Sequence, residues 1–279
     1  MFLDLGEHRF DLTYRALVMG ILNRTPDSFF DAGEYWGFDA FLAKAERLVD
    51  DGADFLDVGG VKAGPGEEIG LEEELERVVP AVEALRSRFD LALSVDTWRA
   101  EVLRQCLDVG ADIGNDISGF ADPDYLPVAA AGRAAVIATH IRLAPRVPDP
   151  DPVYDDLVTD VRDFLADRVA KARAAGIPKE RIVIDAGLDL GKTRQMSWEL
   201  LHQSDALLDL GYPLLLSASN KRFLFELLET ERTDIASGTT AAHAVGIAKG
   251  CRIIRAHDVQ AGRRVADMMA DILATRSRA

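Results

Sequence analysis

Residues 17–31 read LVMGILNRTPDSFFD, and this stretch decides the fold class. A short apolar run, Leu17–Leu22, ends at the amide of Asn23 and is followed by turn formers, hydroxyls, carboxylates and an aromatic pair. Buried parallel strands read as short apolar runs bounded by turn residues, and α/β proteins bind ligands where such strands end. The stretch therefore predicts a buried strand that carries Asn23 into a ligand site.

The same pattern recurs seven more times along the chain, with helical periodicity between the runs. The further strand-like runs are Asp54–Val58, Leu91–Val95, Asp112–Asn115, Ala134–Thr139, Arg181–Ile184, Pro213–Leu216 and Arg252–Arg255. The clearest helical segments are Phe38–Asp51, Leu71–Arg88, Trp98–Val109, Val153–Ala175 and Val259–Ala274. Eight strand–helix units joined by short links predict an α/β protein of the TIM (β/α)8 barrel type.

Two features refine this prediction. A short N-terminal hairpin is expected from Phe2 to Thr13, turning at Gly6-Glu7, before the barrel begins. No linker or low-complexity tract divides the chain, so residues 1–279 are predicted to form one domain. An open doubly wound sheet is the alternative arrangement of the same alternating elements.

Composition and charge limit the classes of partner. The formal net charge of −15 argues against a general affinity for nucleic acid or for an anionic membrane, whose phosphates attract basic surfaces. Cys106 and Cys251 are too few for a disulfide framework or a metal site. The first residues show no secretory signal, and no apolar stretch approaches the roughly 20 residues that a membrane span needs. A soluble, cytoplasmic protein is expected.

Polar side chains stand at nearly every predicted strand end, where barrel enzymes place their chemistry. They are Asn23, Asp57, Asp96, Asn115, Asp116, His140, Asp185, Lys221, Arg255, His257 and Asp258. Carboxylates and amides can pair with the N–H groups of a flat heterocycle, while arginine, lysine and histidine can hold an anionic group. The set therefore indicates a small heterocyclic ligand with an anionic tail.

Each of these residues also has a structural interpretation. Asp116 and Asp258 are expected to cap the helices that follow them, and Asp57 is expected to orient the adjacent glycine turn. His140 alone fits a satisfied core histidine, whereas Asp96 and Asp185 are favoured as ligand contacts. Residues 185–193, DAGLDLGKT, lack the first glycine of a phosphate-binding P-loop, so that class of nucleotide site is rejected.

Taken together, these segments resemble the dihydropteroate synthase family over essentially the whole chain. The family signature MGILNVTPDSFSDGG is similar to residues 19–33, with changes at Arg24, Phe30 and Ala32. Four further segments match in order and approximate spacing: Asp57–Gly60, Ser94–Thr97, Asn115–Gly119 and Arg255–Val259. The resemblance implies a TIM barrel, a homodimer, and Mg²⁺-dependent joining of a hydroxymethyl-dihydropterin pyrophosphate to p-aminobenzoate.

The resemblance also implies roles for individual residues. Asp96, Asn115, Asp185 and Lys221 would bind the pterin. Asn23, Arg255 and His257 would contact the pyrophosphate, with Asn23 at the Mg²⁺. Phe29 and Asp31 belong to the first loop, and Lys62 and Pro65 to the second. Asp31, Lys221 and Arg255 are the expected catalytic residues.

The match breaks on the side that would receive p-aminobenzoate. The second loop, GGESTRPGA in the family, reads GGVKAGPGE at residues 59–67, so its Thr–Arg pair is Ala63-Gly64. The family SRK is Ser219-Asn220-Lys221, DPGIGFGK is DAGLDLGK at residues 185–192, and Met-His-Met is Thr139-His140-Ile141. Neutral side chains cannot replace the bidentate recognition of a carboxylate by arginine.

These clustered changes favour a divergent homologue that binds the pterin ligand. Its condensation with p-aminobenzoate is predicted to be weak, absent or redirected to another second substrate. The first alternative is a fully active synthase in which the changes are tolerated. A pterin-binding methyltransferase module is the second alternative, disfavoured by the synthase-like loop that follows Asn23.

Overall fold

The computed structural model describes residues 1–24, 37–64, 69–228 and 235–276. Phe29, Asp31 and Pro65, which the sequence assigns to the two loops, lie outside these ranges. The chain opens with the expected antiparallel hairpin, β1 (Phe2–Leu5) and β2 (His8–Asp11). Gly6 has φ +58° in the connecting turn, a left-handed conformation that glycine adopts without steric cost. The hairpin prediction is confirmed.

Eight parallel strands follow and close on themselves. They are β3 (Leu17–Asn23), β4 (Phe55–Gly59), β5 (Ala92–Asp96), β6 (Ile113–Asp116), β7 (Ala135–Thr139), β8 (Ile182–Asp185), β9 (Leu214–Leu216) and β10 (Ile253–Ala256). Neighbours in sequence are neighbours in space, and β10 pairs with β3 to complete the ring. The TIM barrel prediction is confirmed, and the open sheet is excluded.

Helices connect the strands around the outside of the barrel. They are α1 (Phe38–Asp50), α2 (Leu71–Arg86), α3 (Ala100–Asp108), α4 (Tyr125–Ala131), α5 (Leu157–Ala174), α6 (Arg194–His202), α7 (Arg222–Leu228), α8 (Ala236–Ala248) and α9 (Val259–Arg276). No helix in the described ranges is long and apolar enough to cross a membrane.

The predicted boundaries differ from the structure at several ends. Seven of the predicted strands begin one residue too early, as at Asp54 against Phe55, because the residue before each strand was included in the run. The largest error is in α5, which begins at Leu157 and not at Val153. Pro152 and the preceding prolines disfavour helical backbone in the residues before them, and the side chain of Asp156 caps the helix by accepting a hydrogen bond from Thr159 N at 3.0 Å.

The apolar core has two parts, one inside the barrel and one between the strands and the helices. Inside the barrel, apolar side chains such as Met19 and Phe55 pack with Leu3, Leu5 and Leu12 of the hairpin region, all at most 1% exposed. A larger cluster fills the space between the strands and the helices. The hairpin therefore closes the N-terminal end of the barrel, and the polar strand ends gather at the opposite mouth.

Candidate active site at the barrel mouth

Four neighbouring strands bring residues at or next to their ends into one row at the mouth. Asn23 of β3 is paired with Gly59 of β4, Gly59 with Asp96 of β5, and Asp96 with Asn115 of β6. A Cβ on Gly59 would lie 3.2 Å from Oδ1 of Asn23 and 3.5 Å from Cβ of Asp96. Glycine at this position therefore keeps open the space between two of the predicted site residues.

Arg255, at the end of β10, reaches across the mouth and joins two carboxylates. Its Nε donates to Oδ2 of Asp57 at 2.7 Å, and its Nη2 donates to Oδ2 of Asp96 at 3.0 Å. Asp57 is fully buried, and the side chain of Arg255 is 16% exposed. Two carboxylates therefore share one guanidinium in a poorly solvated place, which fixes the orientation of the arginine.

Asp57 is the site residue that sequence reasoning undervalued. Its Oδ1 accepts a hydrogen bond from Oγ of Ser94 at 2.6 Å, and Nδ2 of Asn115 lies 3.2 Å from its Oδ2. The carboxylate thus connects β4, β5, β6 and β10 and does more than orient a glycine turn. A lone carboxylate inside the apolar run FLDVG was the sequence signal, since buried carboxylates are nearly always paired.

Burial and neighbouring carboxylates raise the pKa of Asp96. Burial raises the pKa of Asp96 to about 7 against the lowering effect of Arg255, and the nearby Asp57 and Glu74 raise it further. One proton shared within the Asp57–Arg255–Asp96 cluster would leave that cluster neutral. Asp96 can therefore change charge near neutral pH.

A second pair of opposite charges stands beside this cluster. Asp185, at the end of β8, is 5% exposed and accepts a hydrogen bond from Gly187 N at 2.8 Å. Burial raises the pKa of Asp185, while Lys221 opposes that rise most strongly and Arg255 also opposes it. Nζ of Lys221 donates to the carbonyl of Leu188 at 2.6 Å. The structure thus brings Asp185, Lys221 and Arg255 within electrostatic reach of one another.

His257 and Asn220 lie on the next two loops of the mouth. Nδ1 of His257 is 3.0 Å from Oγ of Ser219, which also accepts from His257 N at 3.2 Å. Asn220 has φ +54°, and its backbone N donates to Oγ1 of Thr239 at 3.2 Å. Asparagine tolerates this left-handed backbone better than most residues, which gives a local reason for an amide at the position.

The loop after β7 crosses the mouth, which the sequence did not reveal. Nη1 of Arg146 donates to the carbonyl of Lys62 at 3.2 Å, although β7 and β4 are three strands apart. Farther along the same loop, the hydroxyl of Tyr154 donates to the carbonyl of Gly191 at 2.8 Å. This loop therefore links the second loop to the loop that follows β8.

The remaining predictions for strand-end residues have mixed outcomes. Asp258 accepts from Ala261 N at 2.9 Å at the start of α9, as expected of a helix cap. The cap prediction for Asp116 is wrong, because its carboxylate accepts from Ser118 N and Phe120 N in a turn that precedes α4. His140 is 3% exposed and packs edge-on against Phe164, which confirms the core interpretation.

Metal ligands are sparse at this mouth. No group of three or more histidine, cysteine, aspartate or glutamate side chains suited to a metal occurs in the described part of the chain. Mg²⁺ is commonly held by one or two protein oxygens together with water and substrate phosphates. A single amide oxygen at Asn23 is compatible with a metal of that kind.

Comparisons with known proteins agree with this architecture. A profile of the family described as pterin binding enzyme matches residues 19–257. A dihydropteroate synthase from Synechocystis is 42% identical over 93% of this chain and 91% of its own length. An inactive dihydropteroate synthase 2 from Mycobacterium leprae is 43% identical over 94% of this chain and 92% of its own length.

A solved structure agrees over the full length. The dihydropteroate synthase of Yersinia pestis, in complex with a sulfonamide drug, superposes with a TM-score of 0.94 and 37% identity, covering 100% of both chains. Identity at this level over the complete barrel exceeds what a shared fold alone would give. The chain belongs to the dihydropteroate synthase family of pterin-binding enzymes.

Proposed function

We propose that this protein is a dihydropteroate synthase of the folate pathway. It would bind a hydroxymethyl-dihydropterin pyrophosphate at the barrel mouth and transfer the dihydropterinylmethyl group to the amine of p-aminobenzoate, with release of pyrophosphate. The observation that carries the proposal is the joined set of Asp57, Asp96, Asn115 and Arg255, with Asp185 and Lys221 beside it. This set offers acceptors for ring N–H groups and cations for an anionic leaving group in one place.

The pterin ring would be held by the carboxylates and the lysine. Asp96 and Asp185 would accept hydrogen bonds from the ring N–H groups, and Asn115 can both donate and accept. Lys221 would donate to the carbonyl side of the ring. Support comes from the burial of Asp185 and Asn115, at 5% exposure each, because charge-assisted hydrogen bonds are strongest away from water.

Departure of pyrophosphate would be assisted by Arg255 and His257. Negative charge develops on the leaving oxygen as the carbon–oxygen bond breaks, and preorganised cations stabilise that charge. Within the described ranges, Nη1 of Arg255 donates no hydrogen bond, while Nε and Nη2 are held by Asp57 and Asp96. The guanidinium therefore has a donor available for a phosphate oxygen and is oriented by its other two contacts.

Bound Mg²⁺ would neutralise part of the diphosphate charge, with Asn23 supplying a protein oxygen. The amine nitrogen of p-aminobenzoate forms a bond to the pterin methylene, the bond to the pyrophosphate oxygen breaks, and the amine loses a proton. Asp31 would stabilise the positive charge that develops on the pterin as the carbon–oxygen bond breaks, and Phe29 belongs to the same loop.

A second candidate is a homologue that binds the pterin but does not turn it over with p-aminobenzoate. The specific observation is that Ala63, Gly64 and Asn220 have uncharged side chains at positions where the family has residues that help to recognise a carboxylated substrate. Similarity to the inactive Mycobacterium leprae protein is consistent with this candidate. The Synechocystis relative and the Yersinia pestis structure, both named as synthases, favour activity, so the active enzyme is our primary proposal.

One assay separates the two candidates. Purified protein would be incubated with the pterin pyrophosphate, Mg²⁺ and p-aminobenzoate, and pyrophosphate release would be followed. An active synthase should turn over at roughly 1 s⁻¹ or faster, and the Asp185→Asn and Lys221→Met variants should lose that activity. The Lys171→Met variant, a change of an exposed lysine on α5, serves as the matched control.

Binding measurements complete the test. Calorimetric binding of the pterin pyrophosphate without turnover would favour the second candidate. Failure of the wild-type protein to bind the pterin would refute both.

We further propose that the single domain over residues 1–279 works as a homodimer in the cytoplasm, on the strength of the family resemblance. Phe223 and Leu224, two apolar residues near the start of α7, are buried within the chain and offer no area for a dimer face. Exposed apolar side chains on α8 and α9 are Val245, Met268 and Ile272, which are better candidates for that face. The helical surface near strands β8 to β10 therefore supports the dimer proposal.

A further inference from the structure

A buried lysine outside the predicted site is enclosed by three acceptors. Lys192 is 3% exposed, and its Nζ lies 2.9 Å from the carbonyl oxygen of Gly187 and 2.9 Å from that of Leu190. The third acceptor position is Nδ1 of His140, at 2.8 Å. An isolated buried ammonium is costly in free energy, and these three contacts offset that cost. The presence of a buried lysine with a complete set of partners at this place requires an explanation.

The contacts define the protonation state of both side chains. An ammonium has three N–H groups, one for each of the three acceptors, whereas a neutral amine would leave one acceptor without a proton. His140 must then offer a lone pair at Nδ1 and carry its proton at Nε2. Burial and the adjacent Lys192 lower the pKa of His140 to about 3, so the ring is neutral under ordinary conditions.

The charges around Lys192 act in both directions. Burial and Lys221 lower the pKa of Lys192 to about 7, while Asp185, Asp189 and Asp149 raise it. The two backbone carbonyls at 2.9 Å also favour the charged form, because their oxygens point at the ammonium. The three contacts therefore fit the ammonium form of Lys192, which a pKa of about 7 keeps populated at neutral pH and makes dominant below it.

This ammonium lies inside the turn that carries the pterin-side residues. Gly187, Asp189 and Gly191 all have left-handed backbones, with φ of +65°, +66° and +60°. A non-glycine residue such as Asp189 keeps a left-handed backbone only where surrounding contacts hold it there. Lys192 supplies two of those contacts by binding the carbonyls on either side of Leu188 and Asp189.

The same turn fixes both members of the Asp185–Lys221 pair. Gly187 N donates to Oδ1 of Asp185 at 2.8 Å, and the carbonyl of Leu188 accepts from Nζ of Lys221 at 2.6 Å. Displacement of the turn would therefore move an acceptor and a donor of the proposed pterin site together. Loss of the Lys192 charge would also remove a cation that favours ionised Asp185.

We propose that Lys192, held by neutral His140, is a positioning residue that locks the 187–191 turn and whose charge favours the carboxylate form of Asp185. The inference rests on the proposed function only for the identity of the ligand. Lys192 acts through Asp185 and Lys221 and does not itself touch the pterin.

The first test needs no substitution. Nitrogen NMR of the wild-type protein should show His140 as the neutral tautomer protonated at Nε2, with an unprotonated Nδ1. Detection of a proton on Nδ1 would overturn the proposal, because that proton would point at Lys192 and require a neutral amine there.

The second test compares Lys192→Met with the exposed control Lys171→Met in ligand-free protein. Carbon NMR of the Asp185 carboxyl should show a higher titration midpoint in Lys192→Met and an unchanged midpoint in the control. The charged groups that lower the pKa of Asp185 are Lys221, Lys192 and Arg255. The Lys192→Met substitution removes only one of these three charges. An unchanged midpoint in Lys192→Met would overturn the proposal.

A third measurement links the turn to the ligand. Calorimetry with the pterin pyrophosphate should show affinity reduced by about tenfold in Lys192→Met, with the loss growing as the pH falls. Equal affinity in the variant and the wild type would contradict the positioning role. If the wild type does not bind the pterin, the proposed function fails, and the two NMR tests still decide the role of Lys192.

Discussion

At the scale of single residues, the organising group of the mouth is Asp57. It is fully buried and bonded to Arg255, while Asn115 and Ser94 contact the same carboxylate from neighbouring strands. Removing one partner of a buried ion pair leaves the other charge uncompensated, which costs more than the intact pair contributes. The strongest single-residue effects are therefore expected at this pair.

Asp57→Asn should lower the free energy of unfolding by about 3 kcal/mol, because Arg255 would lose one of the two carboxylates that accept its hydrogen bonds. Urea unfolding followed by circular dichroism measures the change. Asp108→Asn is the matched control, since Asp108 is 65% exposed in its pair with Arg104 and should show no measurable loss. Equal stability of Asp57→Asn and the control would show that the buried pair is not structurally important.

Asp96 should make stability depend on pH. Its ordinary pKa is 3.8 and its pKa in the folded chain is about 7, so between these values the folded chain binds more protons than the unfolded chain. This group's contribution to the free energy of unfolding therefore falls as the pH rises from about 4 to about 7.

The Asp96→Asn variant should lack that slope. Urea unfolding at about pH 5 and about pH 7 should show the wild type losing more stability across the interval than the variant. Parallel profiles for the two proteins would mean that Asp96 has an ordinary pKa in the folded chain.

Individual residues also show where sequence reasoning stops. Asp96, Asn115, Asp185 and Arg255 could be proposed because strand ends meet at one side of a barrel, and position alone suffices for that inference. The partner of Arg255 could not be read from the chain, since Asp57 lies 198 residues away and its contact depends on side-chain direction across the mouth. Lys192 was considered only within a failed P-loop match, because burial is invisible in a local motif.

At the scale of secondary-structure elements, the segment between β7 and α5 is the most informative. Helical periodicity suggested a start at Val153, but prolines at 150 and 152 disfavour helical backbone there, and the helix begins only after the cap at Asp156. The loop thereby gains the length to reach Lys62 through Arg146. Periodicity alone overlooked both the cap and the crossing.

Asp156→Ala should destabilise the protein by about 1 kcal/mol, because the first turn of α5 loses the acceptor for Thr159 N. Thermal and urea unfolding provide the measurement. Asp155→Ala, one position earlier, leaves the cap in place and is the matched control. A control that loses as much stability as Asp156→Ala would indicate a general charge effect and no specific cap.

At the scale of the whole molecule, the two ends of the barrel have separate tasks. The hairpin buries Leu3 and Leu5 against the interior of the barrel, and the polar strand ends occupy the opposite mouth. The alternating sequence predicted the closed barrel correctly, because eight βα units of similar length close into one barrel, but it assigned no role to the hairpin. Which side chains converge at the mouth depended on register, which apolar periodicity does not encode.

Leu5→Ala should lower the free energy of unfolding by about 3 kcal/mol by leaving a cavity at the closed end. Leu5 is 1% exposed, whereas Phe2 on the same hairpin is 49% exposed and supplies the control Phe2→Ala. Affinity for the pterin pyrophosphate should be unchanged in both variants, since the mouth is untouched. A selective loss of ligand affinity in Leu5→Ala would contradict the separation of stability and binding between the two ends.

The most direct test of the account is a crystal structure of the protein soaked with the hydroxymethyl-dihydropterin pyrophosphate. We predict that the pterin ring lies among Asp96, Asn115, Asp185 and Lys221, with the diphosphate at Arg255 and His257. A ligand bound elsewhere, or a mouth that stays empty at saturating ligand, would contradict the central claim that these strand ends form a pterin site.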